Sequence, residues 1–196
     1  MMFIRSFLFF LGVLATFLLG WAGIVGLPDA MISRLEPPTG LKRYTGEELY
    51  GRSIYIREGC VYCHSQQPRP RGFGADQERF WGRPSVPADY TYDRPHLLGT
   101  MRTGPDLLNI AVRQPSEDWH YLHLYNARLV SDQSIMPPYP WLFETKPTAG
   151  PDEKVLALPD SLAPRNAVVV PTREGRALVA YLLSLDRTYD PSRPKK

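Results

Sequence analysis

A long apolar segment lies near the N-terminus of the chain. Residues 7–27 carry no charge and follow Arg5. At about 1.5 Å per residue, this length matches a hydrocarbon core of roughly 30 Å, which predicts one membrane-spanning helix. A cleaved signal peptide is the alternative, but the run is longer than a usual signal core and no clear cleavage site follows. A buried soluble helix is disfavoured because the run has no polar face. We predict a retained anchor at residues 1–30.

Two further helices are predicted from capping and periodicity. The sequence Thr45-Gly46-Glu47-Glu48 has the form of a capping box, so a helix should begin there and end at Cys60. Near the other end of the chain, residues 172–185 place four apolar side chains on one helical stripe: Leu178, Tyr181, Leu182 and Leu185. These patterns predict an all-α domain at residues 45–190, joined to the anchor by a linker at 31–44 and followed by a tail at 191–196.

Composition narrows the function classes. The 20 prolines are about twice the usual share, which predicts ordered, extended loops and little sheet. The formal charge of +3 is too small to indicate a nucleic-acid-binding surface, and no basic run with interleaved aromatics is present. We therefore expect no nucleic-acid partner.

The chemistry of the chain is indicated by the segment Cys60-Val61-Tyr62-Cys63-His64. Two cysteines three positions apart, followed by histidine, are typical of covalent haem c attachment, with the histidine as the proximal iron ligand. A structural zinc site is disfavoured because the chain has no other cysteine. A thioredoxin-like pair would need a βαβ context, and a disulfide here would close only a tiny loop. The pattern therefore predicts one covalently attached haem c.

A second axial ligand must then come from elsewhere in the chain. Met136 is the preferred candidate because the prolines that follow it stiffen its loop and reduce the entropy cost of holding the thioether. Met101 is the alternative methionine, and core packing is the alternative role for both. His120 and His123 share one face of a predicted helix and could also ligate, whereas His96 has less support.

The membrane orientation follows from the haem prediction. Arg34, Lys42 and Arg43 after the span outnumber Arg5 before it, which by the positive-inside rule alone would place the domain in the cytoplasm. Haem c is attached outside the cytoplasm, and large domains translocate largely regardless of charge. We therefore expect the domain on the periplasmic side of the inner membrane.

Two long segments extend the domain beyond its helices. Residues 67–98 are rich in Pro, Arg, Tyr, Phe and Trp, residue types enriched at protein interfaces, so we interpret this insertion as a docking surface. Residues 144–171 are proline-rich and more polar, and could simply wrap the surface.

The two helices resemble the first and last helices of class I cytochromes c, which cross with a glycine against an aromatic. Gly51 and Tyr181 match those positions. Residues 102–107 resemble the family's Gly-Pro loop, which implies that the Pro105 carbonyl accepts the Nδ1 proton of His64. Arg102, beside this loop, is predicted to pair with a haem propionate; the alternative is a solvated surface arginine.

Most of the chain resembles the mono-haem subunit II of cbb3-type cytochrome c oxidase. The resemblance lies in the motifs Arg57-Glu58-Gly59-Cys60, His64-Ser65-Gln66, Arg69-Pro70, residues 102–107, Trp119-His120, residues 123–126, Met136-Pro137 and residues 139–142. It implies an electron relay to the low-spin haem b of a haem-copper catalytic subunit, beside a sister cytochrome c subunit. The alternatives are the cytochrome subunit of a nitric oxide reductase, a haem enzyme or gas sensor with an open sixth position at the iron, and a freestanding membrane-anchored cytochrome c carrier.

Overall fold

The computed structural model describes residues 2–192, which form two compact units. The first unit contains residues 2–41, 86–96 and 189–192, and the second contains residues 42–85 and 97–188. The regular structure of these residues is mostly helical, in agreement with the all-α prediction.

The first unit is built on the apolar N-terminal segment. Helix α1 (Met2–Trp21) continues through a π-helical turn (Ala22–Gly26) into α2 (Leu27–Ser33). The stretch Phe3–Ser33 is 31 residues long and its most apolar window is fully exposed. At about 1.5 Å per residue it exceeds a bilayer core of roughly 30 Å, so this helix is long and apolar enough to cross a membrane.

Part of the predicted docking insertion belongs to this first unit. Residues 86–96 include a short 3₁₀ helix (Pro87–Tyr90) and contact the end of α2. The Arg94 Nη2 group donates to Ser33 Oγ at 2.5 Å, and Arg94 Nε lies 3.7 Å from Asp29 Oδ1. Insertion 67–98 is therefore divided: residues 67–85 lie in the second unit and 86–96 in the first.

The second unit is centred on the crossing of α3 (Gly46–Arg57) and α6 (Arg173–Leu183). The predicted capping box is present at the start of α3: Glu48 N donates to Thr45 Oγ1 at 3.2 Å, and Thr45 N donates to Glu48 Oε2 at 2.6 Å. The helices cross at Gly51, where a Cβ atom would overlap the Ala177 carbonyl and the Tyr181 Cβ. Only glycine allows the two backbones to approach this closely.

Shorter elements complete the second unit. Helix α4 (Ile110–Arg113) and helix α5 (Glu117–Tyr125) follow the Gly-Pro loop, and 3₁₀ turns occur at Cys60–Tyr62, Ala127–Leu129 and Pro140–Leu142. Three of the four predicted stripe residues lie in α6 and Leu185 lies just beyond its end; all four are buried in the core, together with Ile54 and Tyr55 of α3. The core therefore lies along the two crossing helices.

A small sheet closes the second insertion. Strands β1 (Phe143–Lys146) and β2 (Val168–Pro171) pair antiparallel, with Phe143 opposite Pro171 and Lys146 opposite Val168. Sequence analysis did not predict these strands, because four-residue strands carry little periodicity. Insertion 144–171 is thus a loop whose two ends are hydrogen-bonded to each other.

Candidate haem-binding site

The Cys60–Tyr62 turn follows α3 directly. Gly59 has φ +75°, in the left-handed region that favours glycine, and redirects the chain after α3. The Cys60 carbonyl then accepts hydrogen bonds from Cys63 N at 3.2 Å and from His64 N at 2.8 Å. This compact turn keeps the two thiols and the imidazole on one short segment. Cys60 is buried, Cys63 is exposed, and neither forms a disulfide.

The Gly-Pro loop lies against the His64 ring. His64 Nδ1 is 2.9 Å from the Pro105 carbonyl oxygen, so the Nδ1–H tautomer donates to this carbonyl. A Cβ atom on Gly104 would overlap the imidazole, and Gly104 N donates to the Cys63 carbonyl at 2.9 Å. The hydrogen bond fixes the ring orientation and leaves Nε2 without a proton.

Asp106 connects the same loop to the chain that follows His64. Its Oδ2 accepts from Gln67 N at 2.7 Å and from Ser65 Oγ at 3.1 Å, and its Oδ1 accepts from Leu108 N at 3.0 Å. The carboxyl is completely buried, and this burial raises its pKa despite the bonds that favour the charged form. The Asp106 contacts hold the Gly-Pro loop in position next to His64.

The loop that contains Met136 lies in the same region as His64, although it comes much later in the chain. Met136 N donates to Ser134 Oγ at 3.2 Å, and Tyr139 N donates to the Leu124 carbonyl at 2.9 Å. The second bond attaches the loop to α5, and Pro137 restricts the backbone immediately after the methionine.

Two adjoining cavities lie among these segments, with volumes of about 320 and 300 Å³. Both are lined by six residues: Cys60, His64, Pro105, His123, Ser134 and Met136. Cys63 lines the first cavity only. The structure therefore brings five of the six predicted site residues to one place, whereas the alternative methionine, Met101, lines neither cavity.

Arg102, the sixth predicted residue, lies outside both cavities, and its pairing with a haem propionate stays a prediction. Its Nη2 is 2.7 Å from Asp76 Oδ2, its Nη1 is 3.5 Å from Asp106 Oδ2, and Nη1 also contacts Ser65 Oγ. Two buried carboxylates attract the guanidinium away from the cavity. Arg102 is therefore neither a cavity residue nor a solvated surface arginine.

Sequence analysis missed Arg113, which lines the second cavity at the end of α4. Its Nη2 donates to the Asp106 carbonyl at 2.5 Å, whereas its buried Nε has no hydrogen-bond partner. A cation that ends the apolar run 107–113 was the available signal. His120 and His123 also line this cavity; His120 Nε2 is 2.9 Å from the Gln114 carbonyl, and His123 stacks on Trp119 at 4.6 Å.

Burial sets the protonation states around the cavities. It raises the pKa of the Cys60 thiol to about 12, so this thiol is protonated at neutral pH. Burial lowers the pKa of His64, although the bond to Pro105 acts in the opposite direction. The pKa of His123 is lowered to about 4 by burial and then by its two neighbouring histidines. Both imidazoles are therefore neutral at pH 7, the form in which histidine binds metal.

Comparison with known proteins defines the class of the chain: residues 2–163 match a family model of cytochrome c oxidase subunits. Within that class the model describes the mono-heme subunit, FixO, and the chain belongs to this family. No curated protein matches the chain. The match confirms the resemblance to subunit II of cbb3-type oxidase, and makes the chain a haem-containing electron-transport subunit of an oxidase complex.

Proposed function

We propose that the second unit binds one haem c covalently through Cys60 and Cys63, with His64 and Met136 as the axial ligands of its iron. The observation that carries this proposal is the shared lining of the two cavities, in which the Cys60 thiol, the His64 and His123 imidazoles and the Met136 thioether border the same space. Imidazole and thioether are the axial pair of cytochromes c, and the thioether raises the reduction potential.

The chemistry of the cavity walls fits a haem. Apolar side chains, including Leu107, Ile110, Leu124 and Leu178, line the second cavity. Two polar nitrogens, Arg113 Nε and His123 Nδ1, are buried there without a hydrogen-bond partner. A buried polar nitrogen without a partner is costly, and the carboxylates of a haem would accept from the Arg113 guanidinium and from the Nδ1–H tautomer of His123. We infer that Arg113 and His123 bind the carboxylate side of the haem.

Several residues of the chain orient this site. Pro105 holds the Nδ1 proton of His64 and so directs Nε2 toward the metal position, while the Tyr55 hydroxyl donates to the His64 carbonyl at 2.7 Å. The proline-flanked Met136 loop is attached to α5, which reduces the freedom of the thioether. When bound, haem supplies a reversible one-electron change at its iron.

We further propose that the chain passes electrons to the haem-copper catalytic subunit, receiving them from a sister cytochrome c subunit or another cytochrome donor. Membership of the oxidase mono-heme family supports this role over that of a nitric oxide reductase subunit. The apolar helix Phe3–Ser33 supports single-pass anchoring. The extracytoplasmic location of the second unit follows from the proposed haem attachment.

The proposal is tested on the intact complex. A tag on this chain should retain the oxidase subunits, and pyridine haemochrome analysis of the denatured chain should give one covalent haem c. The variant Cys60→Ser/Cys63→Ser should lose the covalent haem, with Ser53→Ala as an exposed control on α3. Rapid reduction of the wild-type complex should show this haem reduced before the haem b of the partner. Absence of haem c, or haem b reduction that does not depend on it, would overturn the proposal.

A further inference from the structure

Residues 69–83, which we call the Phe80 loop, have an unusual conformation. Phe80 has φ +58°, in the left-handed region, and its side chain is 83% exposed. Bulky side chains avoid this region at a cost of about 1–2 kcal/mol. Phe73 on the same loop is 74% exposed. The loop thus maintains a strained backbone and presents two aromatic rings to the outside, which is a combination that marks functional surfaces.

The Phe80 loop is nevertheless well ordered internally. Phe80 N donates to the Gln77 carbonyl at 3.1 Å, and Trp81 N donates to the Asp76 carbonyl at 3.0 Å. The Gln77 side-chain amide donates to the Gly82 carbonyl at 2.7 Å. Trp81 is buried, and the guanidinium groups of Arg79 and Arg102 lie over its ring at 5.1 and 5.7 Å from the ring centroid. Because the aromatic positions are fixed in advance, a partner would bind them at a reduced entropy cost.

Buried charges attach the Phe80 loop to the haem-binding segment. Asp76 is 3% exposed, and its Oδ2 accepts from Arg69 N at 2.8 Å and pairs with Arg102 Nη2 at 2.7 Å. Arg102 in turn contacts Asp106, whose carboxylate accepts from the Ser65 hydroxyl and from the Gln67 backbone N–H, one and three residues after His64. A partner bound to the Phe80 loop would therefore be held at a fixed position relative to His64.

A groove of about 250 Å³ opens beside Phe80, and it is also lined by Gly82, Val112 and Arg113. Arg113 belongs both to this groove and to the second cavity of the haem-binding site. Val112 is half exposed. Three arginines also line the groove, Arg83, Arg113 and Arg187, so it offers a recess of mixed apolar and cationic lining for an acidic side chain of a partner.

We propose that the Phe80 loop and this groove form a docking surface for an acidic face of another subunit of the oxidase, with Phe80 and Phe73 as the apolar anchors. The charge of the loop favours an acidic partner: Arg71 and Arg79 are exposed, whereas Asp76 is buried and paired, which leaves Glu78 as the one exposed carboxylate of the loop. Aromatic residues and arginine are the types enriched at the centres of protein interfaces.

This inference rests on the proposed function, because a subunit that relays electrons must present a surface close to its haem. A bilayer carrying anionic lipids would also attract arginines and aromatic rings. The fixed conformation of the loop and the recess beside Phe80 favour a protein partner, since a lipid surface requires neither. The lipid surface is therefore one outcome of the test.

The test measures binding of the full-length, haem-loaded chain in detergent to the remaining oxidase subunits purified without it. Asparagine tolerates the left-handed region, so Phe80→Asn should fold at least as well as the wild type and raise the Kd about tenfold or more. Arg79→Glu should raise it several-fold, more at low salt than at high salt. Leu162→Ser, an exposed apolar residue at 45% exposure on the second insertion, is the control.

The outcomes separate the alternatives. A Kd for Phe80→Asn within twofold of the wild type would overturn the docking surface. If Phe80→Asn lost binding to vesicles of three parts phosphatidylcholine to one part phosphatidylglycerol while its Kd for the oxidase subunits stayed unchanged, the proposal would be overturned in favour of a lipid surface. Pyridine haemochrome analysis of each variant separates failure of the docking surface from failure of the proposed function. Phe80→Asn should retain a full complement of haem c, whereas absence of haem c from the wild type would contradict the proposed function itself.

Discussion

The α3–α6 crossing and the Phe80 loop both adjoin the haem-binding segment, but they are held by different interactions. At the crossing, Gly51 allows direct backbone contact, and buried apolar side chains surround it. The Phe80 loop has no regular secondary structure, and its principal attachment is the buried pair Asp76–Arg102. Apolar burial is non-directional and shared among many residues, whereas a buried ion pair depends on two groups. We therefore expect global effects from changes at the crossing and local effects from changes in the loop.

The largest effect is expected from Gly51→Val. Its side chain would overlap the Ala177 carbonyl and the Tyr181 Cβ, and backbone cannot move aside easily. We expect a loss of about 3 kcal/mol or more in the free energy of unfolding, together with poor haem incorporation. Denaturant unfolding of the purified protein measures this loss of stability. Gly46→Ala, where a Cβ meets nothing within 4 Å, is the matched control. Equal stability of the two variants would show that the crossing is not closely packed.

Asp76→Asn should affect the Phe80 loop alone. The change leaves the buried Arg102 guanidinium without a full counter-charge and costs about 2 kcal/mol of local stability. Trypsin should then cleave after Arg71 or Arg79 faster than in the wild type, while the global unfolding midpoint changes much less. Glu153→Gln, which removes an exposed ion pair with Lys146, should change neither quantity. A fall in the global midpoint as large as that of Gly51→Val would remove the distinction between the two regions.

Tyr55→Phe tests the polar contact that joins the crossing to the haem-binding segment. The Tyr55 hydroxyl is buried and donates to the His64 carbonyl at 2.7 Å, and burial raises its pKa well above the usual value. We expect a loss of about 1 kcal/mol. Hydrogen exchange at residues 60–65 should accelerate more than exchange in α6. Tyr92→Phe, in the first unit, serves as the control.

The smallest effect is expected at the exposed edge of the crossing. Arg57 pairs with Glu174 through two hydrogen bonds of 2.8 and 2.5 Å, which lower the pKa of Glu174 below 4.5. This stabilisation is present above pH 4.5 and is lost as the pH falls through the lowered folded-state pKa. Glu174→Gln should remove about 0.5 kcal/mol at pH 7 and less at pH 3.5. If the stability difference between the wild type and Glu174→Gln grew as the pH fell, the ion pair between Arg57 and Glu174 would not be its cause.

Local sequence signals predicted the parts of the fold that depend on interactions between residues close together in the chain. The capping box at Thr45, the apolar stripe at the last helix and the haem-attachment motif of residues 60–64 are all determined within a few residues. The Gly-Pro loop was also predicted, from its resemblance to the loop that follows the haem-attachment motif in class I cytochromes c. These elements include Cys60, Cys63, His64 and Pro105 among the predicted site residues.

Long-range contacts account for what sequence analysis missed. The pairing of Arg102 with Asp76, 26 positions earlier in the chain, was not predicted. The pairing of β1 with β2 spans an insertion of irregular structure, and Arg113 reaches the cavity only through the path of α4. The division of residues 67–98 between two units likewise depends on contacts with α2. Apart from the cation that ends residues 107–113, none of these has a local signature.

The most direct test of the central claim is the absorbance spectrum of the ferric Met136→Ala protein. Met136 lines both cavities with His64, so its replacement should abolish the methionine-to-ferric charge-transfer band while leaving haem c covalently attached. Carbon monoxide should then bind the reduced variant readily. Met101→Ala, at a residue outside both cavities, should keep the band. Retention of the band in Met136→Ala, or its loss in Met101→Ala, would contradict the account.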